Sequence, residues 1–236
     1  MGGFEFLIDG LLKALQLISS GDPLIATITL LSIRVSVTAT LLGAIFGIPA
    51  GFLIARKDFV GKSIITTVVN TSMGLPPVVV GLVIYLMLSS FGPLGFLKLL
   101  YTPEAMIIAQ TVLTLPIACG ITISVVMSLN PKLKEALISL SAPGIWEALI
   151  LLNESRLGLI TAIITAFGGA ISEVGAIMMV GGNLGGFTQA LTTSIMLYTN
   201  MGDFDTAIAL GIILLMIAFG VNLFLTLLQS RSKIKR

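Results

Sequence analysis

Five long apolar runs constrain what this chain can fold into more than any other feature of its 236 residues. A bilayer core of about 30 Å is crossed by a helix of about 20 apolar residues. Hydrophobic residues make up 56% of the chain and charged residues only 10%. Because unpaired backbone groups are costly in lipid, the runs predict an all-α membrane protein with one membrane domain, 1–236. The predicted spans are about 34–55, 64–88, 103–129, 157–180 and 206–228.

The segment 4–18 has a different pattern from the five runs. Its polar residues, Glu5, Asp9, Lys13 and Gln16, recur every three or four positions, so a helix here has one narrow polar stripe and a broad apolar face. We expect an amphipathic helix lying along the membrane interface. The alternative is a short sixth span, which the charges of Glu5, Asp9 and Lys13 make costly.

Basic residues are concentrated on one side of the predicted spans. One set of alternate segments holds Arg56, Lys57, Lys62, Lys132, Lys134, Arg156, Arg231, Lys233, Lys235 and Arg236. The other side has Lys13, Lys98 and, at the outer end of the first span, Arg34. Since cytoplasmic loops are enriched in Lys and Arg, we expect an inner-membrane protein with its N-terminus outside and its C-terminus in the cytoplasm.

Composition also excludes several classes of function. The chain has no histidine and one cysteine, Cys119, which argues against metal centres and His-based catalysis. A net charge of +2 spread over several loops does not suggest nucleic-acid binding. The Gly181–Gly186 run follows a predicted membrane helix, so we expect a flexible outer loop and no nucleotide site. We therefore predict no catalytic residue, no metal and no cofactor on this chain.

The loop from Asn130 to Ser155 predicts a short cytoplasmic helix at about 131–145. Pro131 suits a first helical turn, and Pro143-Gly144 ends the pattern. Leu133, Leu137 and Leu140 fall on one face of this helix. That face fits a groove in a partner, or alternatively packs against the chain's own spans.

Prolines and polar residues inside the spans indicate a passage. Pro76 and Pro77 in the second span and Pro116 in the third remove backbone donors and are expected to kink their helices. Asn70, Ser72 and Thr114 lie nearby and line a polar path, or alternatively form hydrogen bonds between packed helices.

Two charged residues are expected near the outer leaflet. Glu173 lies about 25 Å beyond Arg156 at the helical rise, and Arg34 falls at a similar depth. We expect Arg34 and Glu173 to pair across helices near an outer gate, with Glu173 in a structural or gating role. The alternative for Arg34 is extension to the membrane surface.

These segments resemble the permease subunits of binding-protein-dependent ABC importers, and specifically their tungstate branch. The motifs that carry the resemblance are Glu135-Ala136-Leu137 followed by Gly144, then Gly74–Gly81, Ala166–Ala176, Met179–Asn183 and Thr192–Ile195. The resemblance implies a type I importer permease that works as a homodimer. It also implies an external oxyanion-binding protein and two ATPase subunits, which would bind the ATP and Mg.

The same resemblance assigns an ATPase-coupling loop to the predicted cytoplasmic helix. Its residues are Lys134, Glu135, Ala136, Leu137, Leu140, Ser141 and Gly144. Molybdate and sulfate remain alternative substrates. An autonomous secondary transporter would show inverted repeats with embedded carboxylates, and a membrane enzyme would need clustered aspartates; the sequence favours neither.

Overall fold

The computed structural model describes residues 3–130 and 144–234, with Leu133, Ala136, Leu137 and Ser139 between them. The described residues fold into α-helices joined by short loops and one 3₁₀ turn, Gly95–Leu97. The helices are α1 Gly3–Ser19, α2 Pro23–Arg56, α3 Lys62–Met73, α4 Pro77–Leu88, α5 Pro103–Met127, α6 Gly144–Ile171, α7 Gly175–Gly181, α8 Leu191–Met201 and α9 Phe204–Ile234.

Four of these helices, α2, α5, α6 and α9, are long and apolar enough to cross a membrane. The pair α3 and α4 makes a fifth crossing if it is counted as one broken span. The all-α prediction is confirmed by this architecture. The predicted 64–88 span bends by 96° between α3 and α4, because Pro76 and Pro77 cannot donate backbone hydrogen bonds there.

The fourth predicted span, 157–180, does not coincide with a single helix. The helix α6 already begins at Gly144, and it stops at Ile171. A break at 172–174 then separates it from α7. This break contains no proline. Instead, the carboxylate of Glu173 accepts a hydrogen bond from Ala176 N–H (2.9 Å) and so starts a new helix.

The predicted flexible loop at 181–186 is folded into hydrogen-bonded turns. The Thr188 hydroxyl donates to Gly181 O (2.6 Å) and accepts from Leu184 N–H (2.9 Å). The segment that follows contains the helix α8, which the sequence pattern did not predict. The Thr193 hydroxyl accepts from Ala190 N–H at its start, and Gly202 ends it in the left-handed conformation.

The N-terminal helix α1 packs against α9. Its Ala14 is fully buried, and Lys13 pairs with Asp205 at 3.1 Å. An apolar face remains exposed on α1, formed by Ile8, Leu11, Leu12 and Leu15. The predicted helix is therefore present, and its placement along the membrane interface stays a prediction.

The most extensive helix packing in the described part of the bundle is between α2 and α5. Gly43, Gly47 and Gly51 recur every fourth residue on α2 and face α5. A Cβ atom on Gly47 would lie 2.7 Å from Leu115 O, and one on Gly51 would lie 2.4 Å from Cys119 O. Small residues allow such close backbone approach between helices in lipid. Pro116 is buried within α5, which is one helix from Pro103 to Met127 and is not divided there.

We expect Gly51→Ala to destabilise the chain by about 1–3 kcal/mol, because the added methyl group must displace the α5 backbone. Gly168→Ala is the matched control, since nothing lies within 4 Å of a Cβ at Gly168. Thermal unfolding of both variants in detergent, followed by circular dichroism, checks this difference. Equal melting temperatures would show that the α2–α5 contact tolerates a side chain.

Candidate translocation and coupling sites

The two breaks in the helices meet on the same side of the bundle. A Cβ atom on Gly81 of α4 would lie 2.7 Å from the Cα of Ala176 in α7, and one on Gly175 would lie 2.4 Å from the Val78 side chain. The segments that follow each break therefore pack directly against one another. A movement of one segment must displace the other, because close-packed atoms do not interpenetrate.

The expected ion pair between Arg34 and Glu173 is wrong. Arg34 pairs instead with Glu104 at the start of α5, at 3.6 Å, and both side chains are more than half exposed. Glu173 is half-buried and is held in the break: its carboxylate accepts from Ala176 N–H, and its backbone carbonyl accepts from the Thr192 hydroxyl (2.7 Å). The helix break turns Glu173 back onto α7, which sequence spacing alone did not reveal.

Two polar residues of α5 form hydrogen bonds to neighbouring helices. The Thr114 hydroxyl is buried and donates to Ala39 O of α2 at 3.1 Å. Gln110 is also buried, and its Nε2 donates to Ala170 O of α6 at 2.8 Å. For Thr114 the structure thus agrees with the interpretation of hydrogen bonding between helices. Pro116 is buried beside it.

The candidates on α3 and at its bend lie on more open surface. The helix α3 has no buried residue, Asn70 and Pro76 are exposed, and Ser72 and Pro77 are half-buried. The Ser72 hydroxyl donates to Val68 O of its own helix at 2.8 Å. These four residues remain compatible with a polar path, because a single copy of the chain leaves them uncovered.

A row of hydroxyl groups on α6 was missed by the sequence analysis. Thr161, Thr165 and Ser172, here called the α6 hydroxyl row, are all exposed and lie on or just beyond the second half of α6, which is otherwise apolar after Arg156. Each hydroxyl donates to a carbonyl four residues earlier. Gln229 of α9 also donates to Thr161, at 2.8 Å. The four-residue spacing of Thr161 and Thr165 was the available signal.

The loop that is predicted to be cytoplasmic, Asn130 to Ser155, contacts the bundle through Gly144 and Glu147 and through two leucines. Arg56, at the end of α2, donates through Nη2 to Gly144 O (2.8 Å) and to Glu147 Oε2 (2.6 Å). Leu137 is buried in a cluster with Phe52 and Leu151, and Leu133 packs against the same cluster. For these two leucines the structure agrees with packing on the chain's own spans.

The predicted coupling residues are only partly described. Ala136 and Gly144 are exposed, and Leu137 is buried. Lys134, Glu135, Leu140 and Ser141 lie outside the described residues. The exposed Ala136 shows that the segment has an outward face as well as the inward face formed by Leu137.

Titratable groups form no metal centre in the part of the chain that the structure describes, where no group of three or more metal-ligating residues occurs. Outside the spans, a hydrogen bond with Tyr85 and partial burial raise the pKa of the Tyr101 hydroxyl. Tyr101 therefore stays neutral and holds its edge-to-face contact with Tyr85 at physiological pH.

Four continuous apolar helices, with a bent pair that can count as a fifth span, define a polytopic helical membrane protein. The fold is similar to that of a solved bacterial ABC transporter involved in the import of the acidic polysaccharide alginate. The TM-score is 0.74 at 18% identity, covering 98% of this chain and 90% of that chain.

Sequence comparison gives closer relatives. The chain is 44% identical over 203 residues to a probable anion ABC transporter permease protein of Haloferax volcanii, covering 84% of this chain and 88% of the relative. It is 41% identical over 225 residues to the tungstate uptake system permease protein TupB of Peptoclostridium acidaminophilum, covering 95% and 99%. The corresponding protein of Campylobacter jejuni is 36% identical over 221 residues, covering 92% and 91%.

The family described as “Binding-protein-dependent transport system inner membrane component” matches residues 47–234. The chain belongs to this family. It is accordingly a multi-pass inner-membrane permease, as the sequence motifs predicted.

We expect Glu147→Ala to destabilise the chain by about 1–2 kcal/mol, since it removes a half-buried charged partner of Arg56. Asp58→Ala is the control, because the Asp58 side chain that pairs with Lys62 is 96% exposed and such pairs contribute at most about 1 kcal/mol. Thermal unfolding in detergent compares the two. A larger effect of Asp58→Ala would contradict an anchoring role for the Arg56 contact.

Proposed function

We propose that this chain is the membrane-spanning subunit of an ATP-driven importer of tungstate. The observation that carries the proposal is 41% identity to a tungstate uptake permease across 95% of this chain and 99% of that protein. A second tungstate permease, at 36% identity, supports it. Sulfate and molybdenum permeases are less similar, at 28–30% identity over 68–79% of this chain.

In this proposal two copies of the chain form the passage, and two ATPase subunits bind the ATP and Mg. An extracytoplasmic binding protein delivers the oxyanion to the outer side. The N-terminus then lies outside and the C-terminus in the cytoplasm, in agreement with the distribution of Lys and Arg. The chain itself carries no catalytic step.

The cytoplasmic loop is proposed to receive the movement of the ATPases. The inward face of its helix rests on α2 and α6 through Leu137, and Arg56 holds the start of α6. Its outward face, which includes the exposed Ala136, contacts the ATPase in this scheme. A displacement of the loop would then move α6, which also carries the α6 hydroxyl row.

The exposed polar surfaces of α3 and α6 are proposed to line the passage between the two copies. Polar groups within lipid depth usually face a bundle interior or a water-filled cavity. Hydroxyl and amide groups bind an anion more weakly than charged groups do. They therefore suit a passage from which the oxyanion must be released after it has bound. Asn70, Ser72 and Thr165 are the residues that we place on this surface.

Co-purification with the candidate ATPase tests the coupling proposal. We expect tungstate-loaded binding protein to stimulate ATP hydrolysis by the assembled complex, and Glu135→Arg to abolish that stimulation through charge reversal at the contact. Molybdate-loaded and sulfate-loaded binding proteins serve as controls for the substrate. Absence of any associated ATPase would contradict the proposal, and stimulation by sulfate alone would overturn the choice of substrate.

Thiol labelling tests the placement of the α6 hydroxyl row. Cys119 is the single cysteine and is buried, so Cys119→Ser provides a cysteine-free background. We expect Thr165→Cys to react with a charged, membrane-impermeant thiol reagent in the assembled transporter, because thiolates form only where water reaches. Leu215→Cys, on an α9 surface that is 70% exposed in one copy, should remain unlabelled in lipid.

Equal protection of both cysteines would place Thr165 in lipid or in a dry contact. The α6 hydroxyl row would then have no part in the passage.

A further inference from the structure

A small enclosed cavity lies behind the break between α6 and α7. Its volume is about 10 Å³, which is close to the room needed for one water molecule. Four of the residues around it are polar: Ser32, Ser36, Gln110 and Thr192. They come from α2, α5 and α8, so the cavity lies where three helices meet the break.

The side-chain amide of Gln110 lacks one hydrogen-bond partner in this cavity. The residue is 2% exposed, and its Nε2 donates to Ala170 O at 2.8 Å. Its Oε1 is buried and has no hydrogen-bond partner. Buried polar atoms in native proteins are nearly always paired, with protein or with ordered water.

Rotating the amide by about 180° does not satisfy all of its hydrogen bonds. A flipped Gln110 would direct Oε1 at the Ala170 carbonyl, and two acceptors would then face each other without a proton between them. The orientation with Nε2 toward Ala170 is therefore fixed, and Oε1 needs a donor from the cavity. An anion offers no proton to Oε1, which sets this cavity apart from any oxyanion path.

The neighbouring hydroxyls differ in how much hydrogen-bonding capacity they have left for a molecule that donates to Gln110 Oε1. The Thr192 hydroxyl gives its proton to Glu173 O at 2.7 Å, so its oxygen lone pairs can still accept. Ser32 donates to Ile28 O and accepts from Leu191 N–H, which occupies most of its capacity. Ser36 is 2% exposed and lines the cavity on the α2 side.

We propose that one permanently bound water molecule occupies this cavity. It donates to Gln110 Oε1 and to Thr192 Oγ1, and it accepts from the Ser36 hydroxyl. Through Gln110 and Thr192 it connects the carbonyl of Ala170, just before the break, with the carbonyl of Glu173, within the break. Gln110 and Thr192 supply hydrogen bonds to backbone carbonyls at the break, and the water holds these two side chains in place.

A double-mutant cycle tests the bridge in the full complex. Ser36 and Gln110 line the same cavity and share no direct hydrogen bond in this structure, so coupling between Ser36→Ala and Gln110→Met reports on what fills the space between them. We expect their effects on the rate of thermal inactivation to depart from multiplicativity by at least about twofold. Thr40→Val with Gln110→Met is the control pair, because the Thr40 hydroxyl donates to Ser36 O within α2 and does not line the cavity.

A high-resolution map of the wild-type complex gives a direct readout that does not depend on whether the variants fold. One density peak within hydrogen-bond distance of Gln110 Oε1 is expected, and it should be absent in Ser36→Val, where the added methyl groups fill the cavity. An empty cavity in the wild-type map would overturn the proposal. Strictly multiplicative effects of Ser36→Ala and Gln110→Met would overturn it as well.

Discussion

The close parallel contact between α2 and α5 holds the rest of the bundle in place. In lipid, helices gain little from the hydrophobic effect when they associate, so close backbone approach and hydrogen bonds have to supply the stability. Gly47 and Gly51 allow that approach, and the Thr114 hydroxyl bonds across it to Ala39. On its other faces α5 contacts α3, α4, α6 and α7. A shift of α5 relative to α2 would therefore disturb both helix breaks and the polar surfaces beside them.

The two breaks have different physical causes and a common result. Between α3 and α4 the prolines remove donors, whereas between α6 and α7 the Glu173 carboxylate starts a new helix. In both places backbone groups lose their hydrogen-bond partners within the helix. Non-helical backbone at membrane depth is tolerated only where other groups replace those partners. Gln110 and Thr192 do this at the second break. The region around the two breaks thus combines irregular backbone with fixed hydrogen bonds.

The helix α6 connects the two ends of the proposed mechanism. Its first turn carries Glu147, which Arg56 holds together with Gly144, and its later turns carry Thr161 and Thr165. It is continuous for 28 residues, and a continuous helix transmits displacement as a nearly rigid element. In the proposed mechanism, a displacement of the cytoplasmic loop would reach the passage along this helix. The buried Leu137 makes the loop part of the same packed unit.

The sequence by itself determined the membrane setting, the helical class, the bend at Pro76-Pro77 and the family, because hydropathy, proline chemistry and short motifs are local properties. It did not determine the break at Glu173, the helix α8, or the pairing of Arg34 with Glu104. The break and the start of α8 rest on short-range side-chain hydrogen bonds, Glu173 to Ala176 and Thr193 to Ala190, which a hydropathy pattern does not show. The Arg34 pair depends on the register of α2 on α5. The glycine row was visible in the sequence, yet only the packed structure showed that α5 fills the space it leaves. Tertiary structure decided these points because hydrogen bonds and close contacts depend on positions in space, which hydrophobic periodicity does not encode.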